Sequence, residues 1–197
     1  MENNYLDSVK KQFEYYKLLG ERIIAQLSDE ELFWQYNEES NSIAVIVKHL
    51  WGNMLSRWTD FLTADGEKEW RNREEEFESS FQNRAELLEK WDAGWKCLFD
   101  ELGAINEDDF ETIIYIRNLG HSIVEAINRH LAHYAYHIGQ MAYIGRMIKG
   151  ADWKSLSIPK GQSAAYNQQK FSKPRRKEHF TKEFLDGKFF EKDQKGG

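Results

Sequence analysis

No proline interrupts the first 158 residues of this 197-residue chain; the two it contains are Pro159 and Pro174. A proline inside a helix removes a hydrogen bond and clashes with the preceding turn, so a proline-free stretch of this length permits long helices. The hydrophobic pattern follows them. Leu6, Val9, Phe13, Tyr16, Ile23 and Leu27 recur at three- and four-residue steps and predict a first helix over about 6–27. Ser28-Asp29-Glu30-Glu31 supplies the cap and acidic first turn of a short helical turn after it. Ser42 can cap a second helix reaching about Thr63, with Asp65-Gly66 as its stop. A third runs over about 81–102, with Leu87, Leu88, Trp91, Trp95, Leu98 and Leu102 on its inner face and Gly103 ending it. The fourth opens on the capping box Ser122-Ile123-Val124-Glu125 and runs to about Lys149, before Gly150.

Between these helices the signals are weaker. Thr112 to Arg117 is β-branched and aromatic, a short extended segment, and Asn118-Leu119-Gly120 turns the chain. The stretch before Ser80 is too charged and aperiodic to assign. Its acidic run, Glu74-Glu75-Glu76 with Glu78 around Phe77, reads as a solvated face or linker. The expected architecture is all-α: a four-helix bundle over residues 1–168, with a short extended segment before the last helix. A basic C-terminal tail, residues 169–197, forms an irregular extension without a core of its own.

Composition narrows the class. Aromatics make up 14% of the chain, including seven Trp, which argues against wholesale disorder. The single cysteine, Cys97, excludes a disulfide scaffold and any zinc site built on paired cysteines. Nothing predictable beside it would activate its thiol, so it reads as a small buried filler. Residues 1–159 carry 17 basic and 28 acidic side chains, and residues 160–197 carry 10 and 5. An acidic body is a poor nucleic-acid binder, because phosphate contacts need clustered Lys and Arg. Lys173-Pro174-Arg175-Arg176-Lys177 reads as a solvated arm. The longest aliphatic run, Ile43 to Val47, is far short of the roughly 20 residues of a membrane helix. The first five residues have neither a basic flank nor an apolar stretch, so the expectation is a cytoplasmic protein.

Chemistry concentrates in the histidines. His130, His133 and His137 fall on one side of the fourth helix, together with Ile123, Met141, Ile144 and Ile148. They point to the core, where imidazole nitrogens need partners, and a metal ion is one such partner. His133 and His137 are one turn apart and can share an ion, whereas His130 and His137 are about 10.5 Å apart along the axis. A third ligand must come from another helix. His49, in Ile46-Val47-Lys48-His49-Leu50-Trp51, is the other histidine well inside a predicted helix. On a helical wheel it groups with Ser42, Asn53 and Ser56, a polar seam away from the stripe of Trp51, Met54, Trp58 and Phe61. Asp60, Asp65 and Glu125 are carboxylate alternatives, although Glu125 already has a capping role.

Val47-Lys48-His49-Leu50 and Leu131-Ala132-His133-Tyr134-Ala135-Tyr136-His137-Ile138-Gly139-Gln140 together resemble the DinB/YfiT-like metalloenzyme superfamily. Asn41-Ser42-Ile43-Ala44, and Trp153 to Pro159 after the last helix, extend the likeness to an uncharacterised branch of it. The resemblance spans about 6–168. It implies an up-down-down-up bundle with His49, His133 and His137 holding a divalent ion, nickel or zinc. It also implies chemistry like that of relatives that are thiol-dependent S-transferases using low-molecular-weight thiols, or a maleylpyruvate isomerase. Gln140, one turn beyond His137, would then hydrogen-bond a bound water or the substrate, and His130 is not required.

Three readings stand at this stage. The first is a metal-dependent enzyme acting on a small-molecule thiol and an electrophilic substrate. The second is a metal-stabilised binding or stress-response module, and the third is a bundle whose histidines are satisfied without metal. Homodimerisation is expected, with neither nucleic acid nor membrane as partner. The phenylalanines of the tail, Phe171 to Phe190, are candidates for docking on a partner subunit.

Overall fold

The computed structural model of the chain describes residues 4–78, 81–187 and 189–190. The first three residues of the N-terminal segment and positions 188 and 191–197 of the expected tail lie outside the described residues. What is described is mostly helical, with one small sheet. In chain order the elements are α1 (Asn4–Gln26), α2 (Asp29–Leu32), α3 (Ile43–Trp58), α4 (Glu75–Glu78), α5 (Arg84–Ala104), β1 (Ile113–Ile116), β2 (Leu119–Ser122), α6 (Ile123–Lys149), α7 (Ser163–Phe171) and α8 (Lys182–Leu185). Four of these are long, and they pack chiefly as α3 on α5 and α1 on α6, with α3 also meeting α6.

Local signals set most helix ends. Ser28, Ser42 and Ser122 each accept from the backbone amide three residues on, satisfying one of the orphan donors of a first turn. At Ser28 and Ser122 the glutamate of the box reaches back. Gly150 closes α6 at φ +53, a conformation that strongly favours glycine. The core between the helices is aromatic: Trp58 stands edge-on to Phe13, and Tyr134 to Trp95. Such pairs contribute about 0.5–1.5 kcal/mol beyond the area they bury.

Several sequence expectations change. α3 ends at Trp58 rather than near Thr63, because Thr59 is extended and Asp60 takes φ +51. That reversal stacks Phe61 on Trp58 at 4.8 Å, so an apolar residue that would have extended the helix is buried beside it. Gly103 lies inside α5, which continues to Ala104, and Leu88 is 36% exposed rather than on the inner face. Trp51 is only half-buried, under Lys90. The extended segment is one arm of a hairpin whose turn is Arg117-Asn118, so Leu119 and Gly120 belong to β2. Both turn residues have positive φ, the geometry of a tight two-residue hairpin turn. The carboxylate of Asp65 accepts from both of their amides, at 2.8 and 2.9 Å, which fixes the hairpin against the loop after α3.

Among the described residues the C-terminal extension is mostly irregular, holding the last turn of α7 and the short α8, but it is not unattached: Phe180 and Phe184 pack on Tyr15 of α1 while the Arg22 guanidinium lies over Phe190. These phenylalanines thus meet a helix of their own chain. Lys173 to Lys177 are exposed. None of the described helices is long and apolar enough to cross a membrane.

Candidate metal centre

The site forms where α3 and α6 meet. α6 carries His133 and His137 one turn apart, and α3 presents His49 between them. The His49 and His133 Nε2 atoms are 3.3 Å apart, and the His133 and His137 Nε2 atoms 3.1 Å apart. One nitrogen from each of the three lies within 4.8 Å of the others, the one such group of three His, Cys, Asp or Glu among the described residues. Tetrahedral coordination at 2.0–2.1 Å would put nitrogens about 3.3 Å apart, so this spacing fits a single small divalent ion.

The outward nitrogens explain why the inward ones converge. His49 Nδ1 lies 2.8 Å from the Glu76 carboxylate, which can only accept, so Nδ1 carries the proton. His137 Nδ1 donates to the Gln140 side-chain oxygen at 2.7 Å. In their neutral forms both imidazoles therefore turn an unprotonated Nε2 inward. Two lone pairs facing His133 leave it one proton to share at most, and a cation in the middle would satisfy all three. Gln140 thus acts on the ligand itself: its oxygen holds the ring of His137.

Sequence reading missed Glu76. Its place in the acidic run 74–78 suggests a solvated side chain, yet it is 5% exposed and sits on α4, packed against α3. Arg71 donates to both of its oxygens, at 2.7 and 3.0 Å, completing a relay Arg71–Glu76–His49. Burial alone would raise the Glu76 carboxyl, but the bonds from His49 and Arg71 outweigh it and hold the carboxyl below its ordinary value. Phe77 stacks on the His49 ring at 5.0 Å. Gly52 makes room for this: a Cβ there would lie 2.4 Å from a Glu76 oxygen. The seam of His49, Asn53 and Ser56 is polar as expected but buried, because the 59–78 loop closes over it and 13 of the 16 residues of α3 are buried. A signal existed in that Gly52 falls on the His49 side of the helix, but nothing local tied it to position 76.

The other candidates fall elsewhere. His130 is 3% exposed, lies against Trp58, and has no hydrogen-bond partner among the described residues on either ring nitrogen. His133 and His137 are only half-buried, at the edge of the packing rather than in it. Asp65 is engaged in the hairpin and Glu125 in its capping box. Burial pushes the Cys97 thiol up, so it is a poor nucleophile. A groove of about 870 Å³ runs along α6 past Gln140, with Trp34, Tyr136 and Tyr143 in its wall.

Burial, reinforced by the neighbouring imidazoles, lowers His133 to about 3; burial and then His49 lower His137 to about 4, against a small opposing effect of Gln140. Burial also lowers His130 well below its ordinary 6.5. The metal-free chain should therefore lose stability in acid. Above pH 6.5 these histidines are neutral whether folded or not. Below it the unfolded chain takes up protons that the folded chain refuses, so stability falls as pH drops from 6.5 towards 4. The urea midpoint of chelator-treated protein should be lower at pH 5 than at pH 7.5. An unchanged midpoint would mean that the folded state accepts those protons.

The profile of a family described as "Protein of unknown function (DUF1572)" matches residues 1–162. No curated protein matches the chain.

Proposed function

We propose that this chain, which belongs to the DUF1572 family of proteins of unknown function, is a divalent-metal enzyme whose ion, nickel or zinc, is held by His49, His133 and His137. The observation that carries the reading is the convergence of three Nε2 atoms whose outward nitrogens, at His49 and His137, are already engaged. The chain's likeness to the DinB/YfiT-like superfamily, and an up-down-down-up arrangement of α1, α3, α5 and α6, belong to the same proposal. The pairing of α1 with α6 and of α3 with α5 supports that arrangement.

When bound, an ion held by three neutral imidazoles supplies a Lewis acid with an open position that acidifies a thiol or water. Everything else falls to the chain's own residues. Glu76 and Gln140 fix the tautomers and ring orientations of His49 and His137. Tyr136 and Tyr143, in the groove beside Gln140, offer apolar surface to an electrophilic substrate. The reaction we propose is a thiol-dependent S-transfer or a related one on small molecules, and with it a cytoplasmic homodimer.

The test is turnover. Nickel- or zinc-loaded protein is mixed with cysteine and 1-chloro-2,4-dinitrobenzene, and thiol consumption is followed. A rate above that of free metal, absent in His133→Ala, is expected. Stoichiometric metal with no turnover across a panel of thiols and electrophiles would favour the second reading, an ion that only staples α3 to α6.

A further inference from the structure

A second cavity, of about 330 Å³, shares His49 and His133 with the histidine centre. Five arginines line it: Arg57 from α3, Arg71 and Arg73 from the loop before α4, Arg117 from the hairpin turn and Arg129 from α6. No carboxylate lines it among the described residues. Two stand behind it. Glu67 pairs with Arg57 and Arg117 at 2.9 Å and more loosely with Arg71, and Glu76 pairs with Arg71. The nearby Asp65 is spent on backbone amides. The wall keeps a surplus of positive charge.

Two features make this a built site rather than a patch of surface arginines. The Arg57 and Arg71 side chains are only 7% and 2% exposed, and both are fixed, Arg57 by the Gly66 carbonyl and Glu67, Arg71 by Glu76. A guanidinium held in place loses little freedom when it receives a ligand, and its planar fork matches two oxygens at once. The second feature is His130, which also lines the cavity. It is 97% buried, and among the described residues neither of its ring nitrogens has a hydrogen-bond partner. Buried polar groups are nearly always paired, so His130 leaves a polar requirement beside this wall that the described residues do not meet.

We propose that this cavity is the subsite for a small oxyanionic group of the substrate, a carboxylate or a phosphate, seated beside the three imidazoles. That the ligand is the substrate rests on the metal-enzyme reading; that the cavity takes an oxyanion does not. The volume is at the lower end for ligand sites, which suits one charged group and a few carbons rather than a nucleotide. Arg57, Arg117 and Arg129 orient that group by charge-assisted hydrogen bonds.

Inorganic phosphate and succinate are titrated calorimetrically into the full chain, as purified and after chelation, at constant ionic strength against sodium chloride. Saturable binding of one oxyanion per chain is expected with and without metal, and the tighter of the two identifies the group. Affinity should fall at least about ten-fold in Arg117→Gln/Arg129→Gln, since each loses a charge-assisted hydrogen bond. Both residues are exposed, so the variant should keep its helical circular dichroism; Arg73→Gln gives a milder second case. His137→Ala, which removes a proposed metal ligand outside the cavity lining, should keep the anion while losing the metal, which separates failure of the metal reading from failure of this one. Heats no larger than those of chloride, or an unchanged affinity in the arginine variants, would overturn it.

Discussion

Metal content, measured by elemental mass spectrometry on untagged protein, should fall from about one ion per chain to near zero in His49→Ala, His133→Ala and His137→Ala. Each removes one of three ligands, and two imidazoles on a half-open site retain a divalent ion poorly. His130→Phe should keep full occupancy, since His130 lies apart against Trp58 and its spacing from His137 spans two turns. The comparison matters because four inward histidines could be confused with one cluster. His133 and His137 are half-buried, so their replacement should leave the helical signal intact. His49→Ala strands Glu76 in the interior, so His49→Gln serves as the gentler variant there. Wild-type protein still empty after incubation with nickel and with zinc would refute the centre. Loss in the α6 variants alone would mean that the third ligand is not His49.

Glu76→Ala should weaken metal binding by about 10- to 100-fold although Glu76 is not a proposed ligand, the usual effect of losing the group that orients a ligating histidine. It should also destabilise the fold, because Arg71 is left charged and 98% buried without the carboxylate that neutralises it. Breaking a buried pair from one side costs about 3–5 kcal/mol. Glu76→Gln separates the two effects. The amide oxygen can still accept from His49 Nδ1, so metal affinity should recover most of its loss, while Arg71 keeps only its looser pairing with Glu67 and the urea midpoint stays low. Equal metal affinity in wild type and Glu76→Ala would show that His49 is oriented by its packing against Phe77 instead.

Much of this site was legible before folding was considered. His133 and His137 are neighbours because a helix turns every 3.6 residues, and α6 is bounded by a serine box and a glycine that act within three residues of the end. His49 could be nominated as the one remaining histidine well inside a helix. The seam it occupies could be seen as polar, but not as buried, because burial depends on what lies over α3. The hairpin turn is Arg117-Asn118, where the sequence suggests Asn118-Leu119-Gly120, since its two positive-φ positions are held by Asp65, 52 residues before Arg117.

Local physics was readable in the chain itself: the serine-capped helix starts, the glycine stop of α6, most of the apolar faces, and the pairing of two imidazoles on one helix. What only the tertiary structure decided is which charges leave water. Glu76 and Arg71 look like members of a solvated charged run, and their 59–78 segment has no periodicity to mark an inner face. They are buried because Gly52 leaves space on α3, because His49 offers Glu76 a donor 27 residues away, and because each neutralises the other. A lone buried charge is prohibitively expensive, so such residues go inside only as a set, and the members of the set are assembled by the fold.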